Sequence, residues 1–379
     1  MAASVEVVQH VKRDAEFNLP KCLRLAAAGH GKSPLAQAVE IWRLRRGPGK
    51  LRPDEYYAFG LYDDRRFSFE DKVCFLGRAV QERIIRQCNA TPWWLLAHDK
   101  LVFYALLQGQ GLPVPVTRAV YHPTRRLGTA TALATRAALA AHLRADMIYP
   151  CFAKPATGIR SIGVAALEAY DSAADRLILK GRQALAVEAF VSELERYLAD
   201  GYLFQEMLRP HPELAAVVGP RLSTVRLILL LEDAGASVLH ALWKIPVGDN
   251  PADNFWRPGN LLAALDARSG RVIRVQQGTG PEQLELENHP NTGGRLQSVT
   301  IADWPALVEL ALQAATVFPG LRMQAWDIAP TDRGPVLVEV NIGGDFNLPQ
   351  LAHRRGLMDD RFRTFLTTCA ATSAFSKRR

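Results

Sequence analysis

The sequence predicts an α+β protein, a mostly helical N-terminal region followed by a mostly antiparallel, strand-rich remainder. Three observations carry that class. Segments with apolar residues at helical spacing dominate residues 1–90. From Tyr149 onward the chain changes to short β-branched runs set off by glycine, proline and charged turns. No internal repeat and no low-complexity linker interrupts it.

The elements follow in order. "PLAQAVEIWRLRR" (34–46) is a helix with Ser33 as its cap and Pro34 in its first position. The stretch before it, "AAAGHGKSP" (27–35), ends like a phosphate-binding loop, but Ala26 stands where such a loop needs glycine. It is therefore expected to be a turn. "FEDKVCFLGRAVQERIIRQC" (69–88) and "HDKLVFYALLQGQG" (98–111) continue the helical region, the latter stopping at Gly109 or Gly111 before Pro113. "TALATRAALAAHL" (131–143) reads as an alanine-rich helix. Strands are expected at "YPCFAKP", "IGVAAL", "RLILK", "YLFQEML", "STVRLILLLE" and "VLHALWKIPV". The helix "WPALVELALQAATVF" (304–318) then precedes the strands "RMQAWDIAP" and "PVLVEVN".

Composition bounds the function. A chain of 379 residues, 48% hydrophobic and 22% charged, has room for two or three ordinary globular domains. No apolar run is long enough to span a bilayer, and no secretory apolar segment opens the chain, so a cytoplasmic protein without membrane insertion is expected. Five scattered cysteines without a C-x-x-C pair point to reduced thiols. The net charge of +8 favours acidic partners. Basic residues are spread out except in "RLRRGPGK" and the terminal "KRR", with no aromatic interleaving, so nucleic acid is not expected among them.

The chemistry-bearing residues begin near the C-terminus. Alternation in "GPVLVEVNIGGDFN" puts Glu339 and Asn341 on one strand face, a half-shell of oxygens suited to Mg2+. Asp327 lies on the preceding strand. A five-residue loop at 331–335 sets it directly opposite Glu339, and a four-residue loop misaligns the pair. Two carboxylates so close repel unless a cation lies between them; the plainer alternative is an exposed polar face. In "CFAKPATGIRSIGV" a strand delivers Lys154 to a turn containing Gly158, Ser161 and Gly163, which can bring backbone N–H groups and a lysine onto phosphate oxygens, although an ordinary hairpin also uses glycine. Gln205 and Glu206 end a strand where main-chain groups and a carboxylate can meet an adenine and ribose, although a plain edge strand before the "RPHP" loop reads equally well. Arg226 and Lys244 sit in otherwise apolar strands, which is costly unless each meets an anion or water. Nothing local distinguishes Lys100 from an ordinary helix-surface lysine.

Taken in order, these pieces resemble the ATP-grasp superfamily over roughly residues 98–350. "DKLVFYALLQGQGLPVP" is similar to the start of the central domain in D-alanine–D-alanine ligase and biotin carboxylase relatives, which implies that Lys100 faces ATP phosphates. "FAKPATGIRSIGV" resembles the Lys-Pro strand and glycine-rich phosphate lid, with Lys154 the second ATP lysine and Gly158 and Ser161 in the lid. "FQEML" looks like the hinge strand, placing Gln205 and Glu206 at the adenine or ribose. Lys244 falls where those ligases carry a further lysine, and Asp327, Glu339 and Asn341 match the magnesium triad. A narrower resemblance is to the sugar-transfer-associated ATP-grasp group, through "PDEYYAFGLY" (53–62), "RPGNLLAALDARSGRV" (257–272), "NHPNTGGRL" (288–296) and the late Gln350.

The resemblance implies two α+β lobes gripping ATP with Mg2+, organised as residues 1–97 (helical), 98–208 (lid and central lobe) and 209–379 (metal and acceptor lobe). It implies an ATP-dependent carbon–nitrogen ligase that joins small-molecule or peptide carboxylates to amines through an acyl phosphate. It leaves room for a homodimer. The acceptor candidates are Asn260, His289, Thr292, Asp345, Asn347 and Gln350, with His289 as general base or, beside Pro290, a turn residue. Arg226 and Arg295 are the cations for a substrate carboxylate, which tilts the reading from a phosphotransferase towards a ligase. A non-catalytic ATP-binding protein is the remaining alternative.

Overall fold

The structure is a computed structural model that describes residues 17–158, 162–179, 181, 184–248, 250 and 252–376. Helix α1 (Leu19–His30) starts at Asn18, whose Oδ1 accepts from Lys21 N at 2.9 Å, and closes on Gly31 at φ 70°, a left-handed conformation that suits glycine. Ser33 then caps α2 (Pro34–Arg46), accepting from Ala36 N at 3.2 Å. Gly31-Lys32-Ser33 is thus an interhelical turn, as expected. Helices α3 (Pro53–Ala58), α4 (Phe69–Val73) and α5 (Arg78–Cys88) follow.

The single helix expected over 69–88 is broken between α4 and α5. Gly77 backs onto Glu55, and a Cβ there would stand 2.5 Å from Glu55 Oε2. The same carboxylate accepts from Arg78 N at 2.6 Å and so starts α5 afresh. Helices α6 (Trp94–His98) and α7 (Lys100–Gly109) complete the region, α7 being capped by Asp99.

The first sheet contains β1 (Thr117–Tyr121), β2 (Thr131–Leu133), β3 (Cys151–Pro155), β4 (Ala165–Asp171), β5 (Arg176–Leu179), β6 (Ala184–Ala186) and β7 (Tyr202–Glu206). Their order is β2-β1-β7-β3-β4-β5-β6, with only β1 and β2 parallel. Helices α8 (Arg136–Ala145) and α9 (Val187–Leu194) cover one of its faces. The helix expected from residue 131 starts later, because Thr135 caps α8 through Ala138 N and residues 131–133 pair with β1 instead.

After α10 (Pro212–Val218) comes the second sheet, in the order β12-β11-β10-β9-β8-β13-β14 and antiparallel throughout. Its strands are β8 (Thr224–Glu232), β9 (Gly235–Ile245), β10 (Leu261–Leu265), β11 (Val272–Gln277), β12 (Leu284–Glu285), β13 (Met323–Thr331) and β14 (Gly334–Asn341). Helix α11 (Trp304–Thr316) packs on one face against Trp243, Trp326 and Leu227. The other face receives the N-terminal helices. Tyr56 and Tyr57 meet Leu242 and Leu262, while Val80 and Ile84 meet Ile228 and Met323. Helices α12 (Asn347–His353) and α13 (Asp360–Ser376) close that side. Among the described residues no helix is long and apolar enough to cross a membrane.

Candidate functional site

The register of the second sheet gathers charge on the face that the N-terminal helices cover only in part. Asp327 lies opposite Arg226 on β8 and Glu339 on β14. Arg226 pairs with Leu242, two residues from Lys244 on β9, so all four charged groups share one face. Asn341, two residues beyond Glu339, joins them.

The Asp327–Glu339 opposition is reached by a different route from the five-residue loop. The hairpin turns on two residues, Asp332 and Arg333, with Thr331 paired to Gly334. A bulge at Val338 then adds the one residue needed to bring Glu339 opposite Asp327.

Arg226 grips Asp327 in a two-pronged ion pair, Nε to Oδ1 at 2.7 Å and Nη2 to Oδ2 at 2.6 Å. Lys244 Nζ adds a third contact to Oδ2 at 2.9 Å. Burial alone would raise the Asp327 carboxyl, but Arg226 and Lys244 hold it well below the usual carboxylate range, with Glu339 within hydrogen-bond reach. Asn341 Nδ2 donates to Glu339 Oε1 at 3.3 Å, which leaves its own carbonyl oxygen as an acceptor. The triad is an all-oxygen donor set with lone pairs to spare, as Mg2+ requires.

From the first lobe, Lys100 and Lys154 approach this strand. Lys100 opens α7 and donates to the Gly158 carbonyl at 3.1 Å. Lys154, on β3, donates to the Tyr104 hydroxyl at 2.7 Å. Both are buried, and among the described residues neither has a carboxylate within ion-pair distance. Burial pushes the Lys154 ammonium down to about 8, against the pull of Glu339. Burial lowers Lys100 as well, with Glu339 opposing and Lys154 adding to the shift. An ammonium group in such surroundings gains from an anionic ligand.

The residues expected at a hinge, Gln205 and Glu206, split. Gln205 is buried and donates to Thr117 Oγ1 at 3.0 Å. The Glu206 side chain leaves the opposite face of β7 and accepts from Val116 N at 3.0 Å and Arg333 at 2.8 Å. It lines an open depression of about 370 Å³ with Pro113, Leu310 and Val336. The Glu206 carboxylate therefore ties the end of β7 to the β13–β14 turn and does not face Lys154's side of the sheet. Ser161 lies outside the described residues.

The acceptor candidates also divide. Asp345 accepts from Trp256 Nε1 at 2.8 Å and from Asn347 N at 3.0 Å, within the electrostatic reach of Arg226 and Arg78. Asn260 is buried with its amide engaged four times, by Val247 N, Asn250, and the Ala252 and Asn254 carbonyls. Gln350 clamps the Leu76 backbone at 2.7 and 2.8 Å. These two amides are drawn into the fold rather than presented to a ligand.

His289 is knotted into its own loop. Its Nδ1 accepts from Thr292 N at 3.4 Å, and Nε2 faces the Pro246 carbonyl at 3.4 Å. Burial lowers its pKa. Thr292 donates to the Val217 carbonyl, and Arg295 is exposed on the same loop. Among the described residues no hydrogen bond or ion pair joins this loop's side chains to the charged cluster. Conversely, three residues not singled out in the sequence, Tyr104, Trp256 and Arg78, stand among the groups that matter. For Tyr104 the available signal was its place one helical turn after Lys100.

The family model described as sugar-transfer associated ATP-grasp matches residues 79–364. Similar solved structures include an L-amino acid ligase from Bacillus licheniformis, at 14% identity and TM-score 0.38, covering 69% of this chain and 46% of that one. Another is the D-alanine-D-alanine ligase from Coxiella burnetii, at 11% identity and TM-score 0.40, with coverages of 74% and 60%. A third is the biotin carboxylase–ATP complex from Campylobacter jejuni, at 11% identity and TM-score 0.44, with coverages of 75% and 48%. The chain thus spans less than two thirds of each of these structures. With TM-scores below 0.5, the likenesses add no weight of their own. No curated protein matches the chain.

Proposed function

The chain belongs to the sugar-transfer associated ATP-grasp family, and from that premise we propose that it is an ATP-dependent ligase joining a carboxylate to an amine. The observation that carries the reading is the pair of buried lysines, Lys100 and Lys154, which among the described residues have only neutral hydrogen-bond partners and face the strand bearing Glu339. Phosphate oxygens are the natural counter-charge for such a pair.

In this reading Lys100 and Lys154 bind and orient the ATP phosphates, and the Gln205–Glu206 backbone meets the adenine. Mg2+, held by the oxygens of Asp327, Glu339 and Asn341, would neutralise charge on the transferring phosphoryl group. Arg226 uses Nε and Nη2 on Asp327 and keeps Nη1 for the substrate carboxylate. A carboxylate oxygen attacks the γ-phosphorus, ADP leaves, and an acyl phosphate forms. The amine then attacks the acyl carbon, and phosphate departs. Water must be excluded meanwhile, because an acyl phosphate hydrolyses.

Ligation is favoured over phosphorylation of an alcohol by the state of the possible bases. Asp327 is ion-paired, Asp345 is held by Trp256 and Asn347, and the His289 imidazole is engaged within its loop. None of these is presented to a hydroxyl as kinase chemistry requires. The test is ADP release across carboxylate–amine pairs, small molecules and peptides included, with products identified by mass. An amide together with phosphate is expected. A stable phosphorylated alcohol would overturn the ligase reading.

A further inference from the structure

The bulge on β14 creates a problem that one distant residue solves. The extra residue of a bulge has no place in the ladder, so its backbone carbonyl needs another donor. At Val338 that donor is the Tyr104 hydroxyl, at 2.8 Å. The same hydroxyl receives Lys154 Nζ at 2.7 Å. The direction of both bonds is fixed by chemistry. Lys154 as an ammonium can only donate and a carbonyl can only accept, so the hydroxyl accepts from the first and donates to the second. Tyr104 is fully buried, packs against Phe103 at a ring separation of 5.2 Å, and sits one helical turn after Lys100. Among the described residues the charged groups that act on Lys154 are Lys100 on α7 and Glu339 on β14.

We propose that Tyr104 is a positioning residue whose single hydroxyl sets both the aim of Lys154 and the bulge that turns Glu339 toward Asp327. It joins the two halves of the site. The helix and β3 supply the phosphate cations, β14 supplies the acidic oxygens, and one oxygen atom is hydrogen-bonded to both. Phenylalanine at 104 retains the packing but strips a partner from the buried ammonium and another from the bulge carbonyl. The inference rests on the ATP reading above.

The test compares the full-length wild type with Y104F, folding of each being checked by circular dichroism. Three quantities are measured: affinity for a non-hydrolysable ATP analogue without divalent cation, the Mg2+ concentration that half-saturates its binding, and amide hydrogen exchange at 336–341 in the ligand-free chain. Y104F is expected to raise the half-saturating Mg2+ concentration about tenfold, the lower end of the range for residues that orient metal ligands. It should weaken metal-free analogue binding and speed exchange at 336–341 while leaving exchange in α8 and α9 unchanged. In a K154M background, Y104F should still raise the Mg2+ requirement but cause no further loss of metal-free affinity. A merely structural tyrosine would lower the melting temperature and move none of these quantities selectively. If the wild type binds the analogue and Y104F binds it with the same constants and the same exchange pattern, this inference falls alone. If the wild type does not bind the analogue, the ATP reading falls and takes this inference with it.

Discussion

Lys72 and the half-buried Lys32 in the helical region, and the buried Lys100 and Lys154 near the acidic strand, are ammonium groups held in opposite ways. Lys32 reaches Glu40 at 2.6 Å and Asp64 at 2.7 Å, and Lys72 reaches the same two carboxylates. Tyr56 adds a hydrogen bond to Glu40 at 2.7 Å. Burial alone would depress Lys32, yet Asp64 and Glu40 hold it above its usual range. This quartet is two cations against two anions and asks for no further partner. Among the described residues Lys100 donates to a carbonyl and Lys154 to a hydroxyl, with no carboxylate in ion-pair distance of either, and both are lowered by burial. On the proposed function, the difference separates a lysine that holds the fold from a lysine that binds a ligand. A Gly-Lys-Ser string marks the first kind in the sequence; of the second, Lys154 is marked by the glycine-rich turn after its strand and Lys100 by nothing local.

The comparison can be broken most decisively at the acidic strand. E339Q is expected to lower ADP release at least about a hundredfold, a loss of roughly 3 kcal/mol in transition-state stabilisation, with an unchanged melting temperature. K72M should show the reverse pattern. Removing one member of a buried ion network costs about 3–5 kcal/mol, read by denaturant unfolding, while ATP affinity stays at the wild-type value. K154M should weaken ATP binding without destabilising the ligand-free chain, because it removes a buried charge that has no anionic contact among the described residues. Lysines that answered alike in these assays would erase the distinction.

A pH series sharpens the same point. The folded value for Lys154, about 8, lies below its ordinary 10.5, so between those values the unfolded chain holds the extra proton. Lys154 therefore adds to the stability of the ligand-free protein as pH rises from about 8 towards 10.5. ATP affinity should fall over the same rise, because the neutral amine no longer meets phosphate. Calorimetry and nucleotide titration across that range should give trends of opposite sign. The smallest effect is expected at Arg295, exposed on its loop. R295A should alter stability by no more than about 0.5 kcal/mol and leave turnover near wild type. A clear loss of turnover would return that loop to the site.

Much of the fold was legible because it is written in short-range pattern. The alternation around Glu339, the cap at Ser33 and the β-branched strands all report local geometry. The α+β class and the ATP-grasp family follow from those pieces in order. Misreadings arose where a contact distant in sequence overrode local preference. Glu55 cuts the 69–88 helix at Gly77, and pairing with β1 takes residues 131–133 from a helix. Asn260 and Gln350 have the chemistry of binding residues, but whether an amide is free depends on how a loop closes over it. Tyr104 reads as an aromatic in an apolar helix, and only the folded chain brings Lys154 and Val338 to its hydroxyl.

The hairpin between β13 and β14 bears on how such a pair of carboxylates is to be found in other chains. Here twelve positions separate Asp327 from Glu339, with two residues in the turn and one taken up by the bulge. A chain that dropped the bulge residue would keep its acids face to face at one position fewer. A chain with a longer turn and no bulge would match the present count by a different path. The count between two acids is therefore an elastic yardstick. What stays rigid is phase, whether the second acid emerges on the same side of the ribbon as the first, and a search keyed to phase rather than length would find partners that a fixed spacing misses.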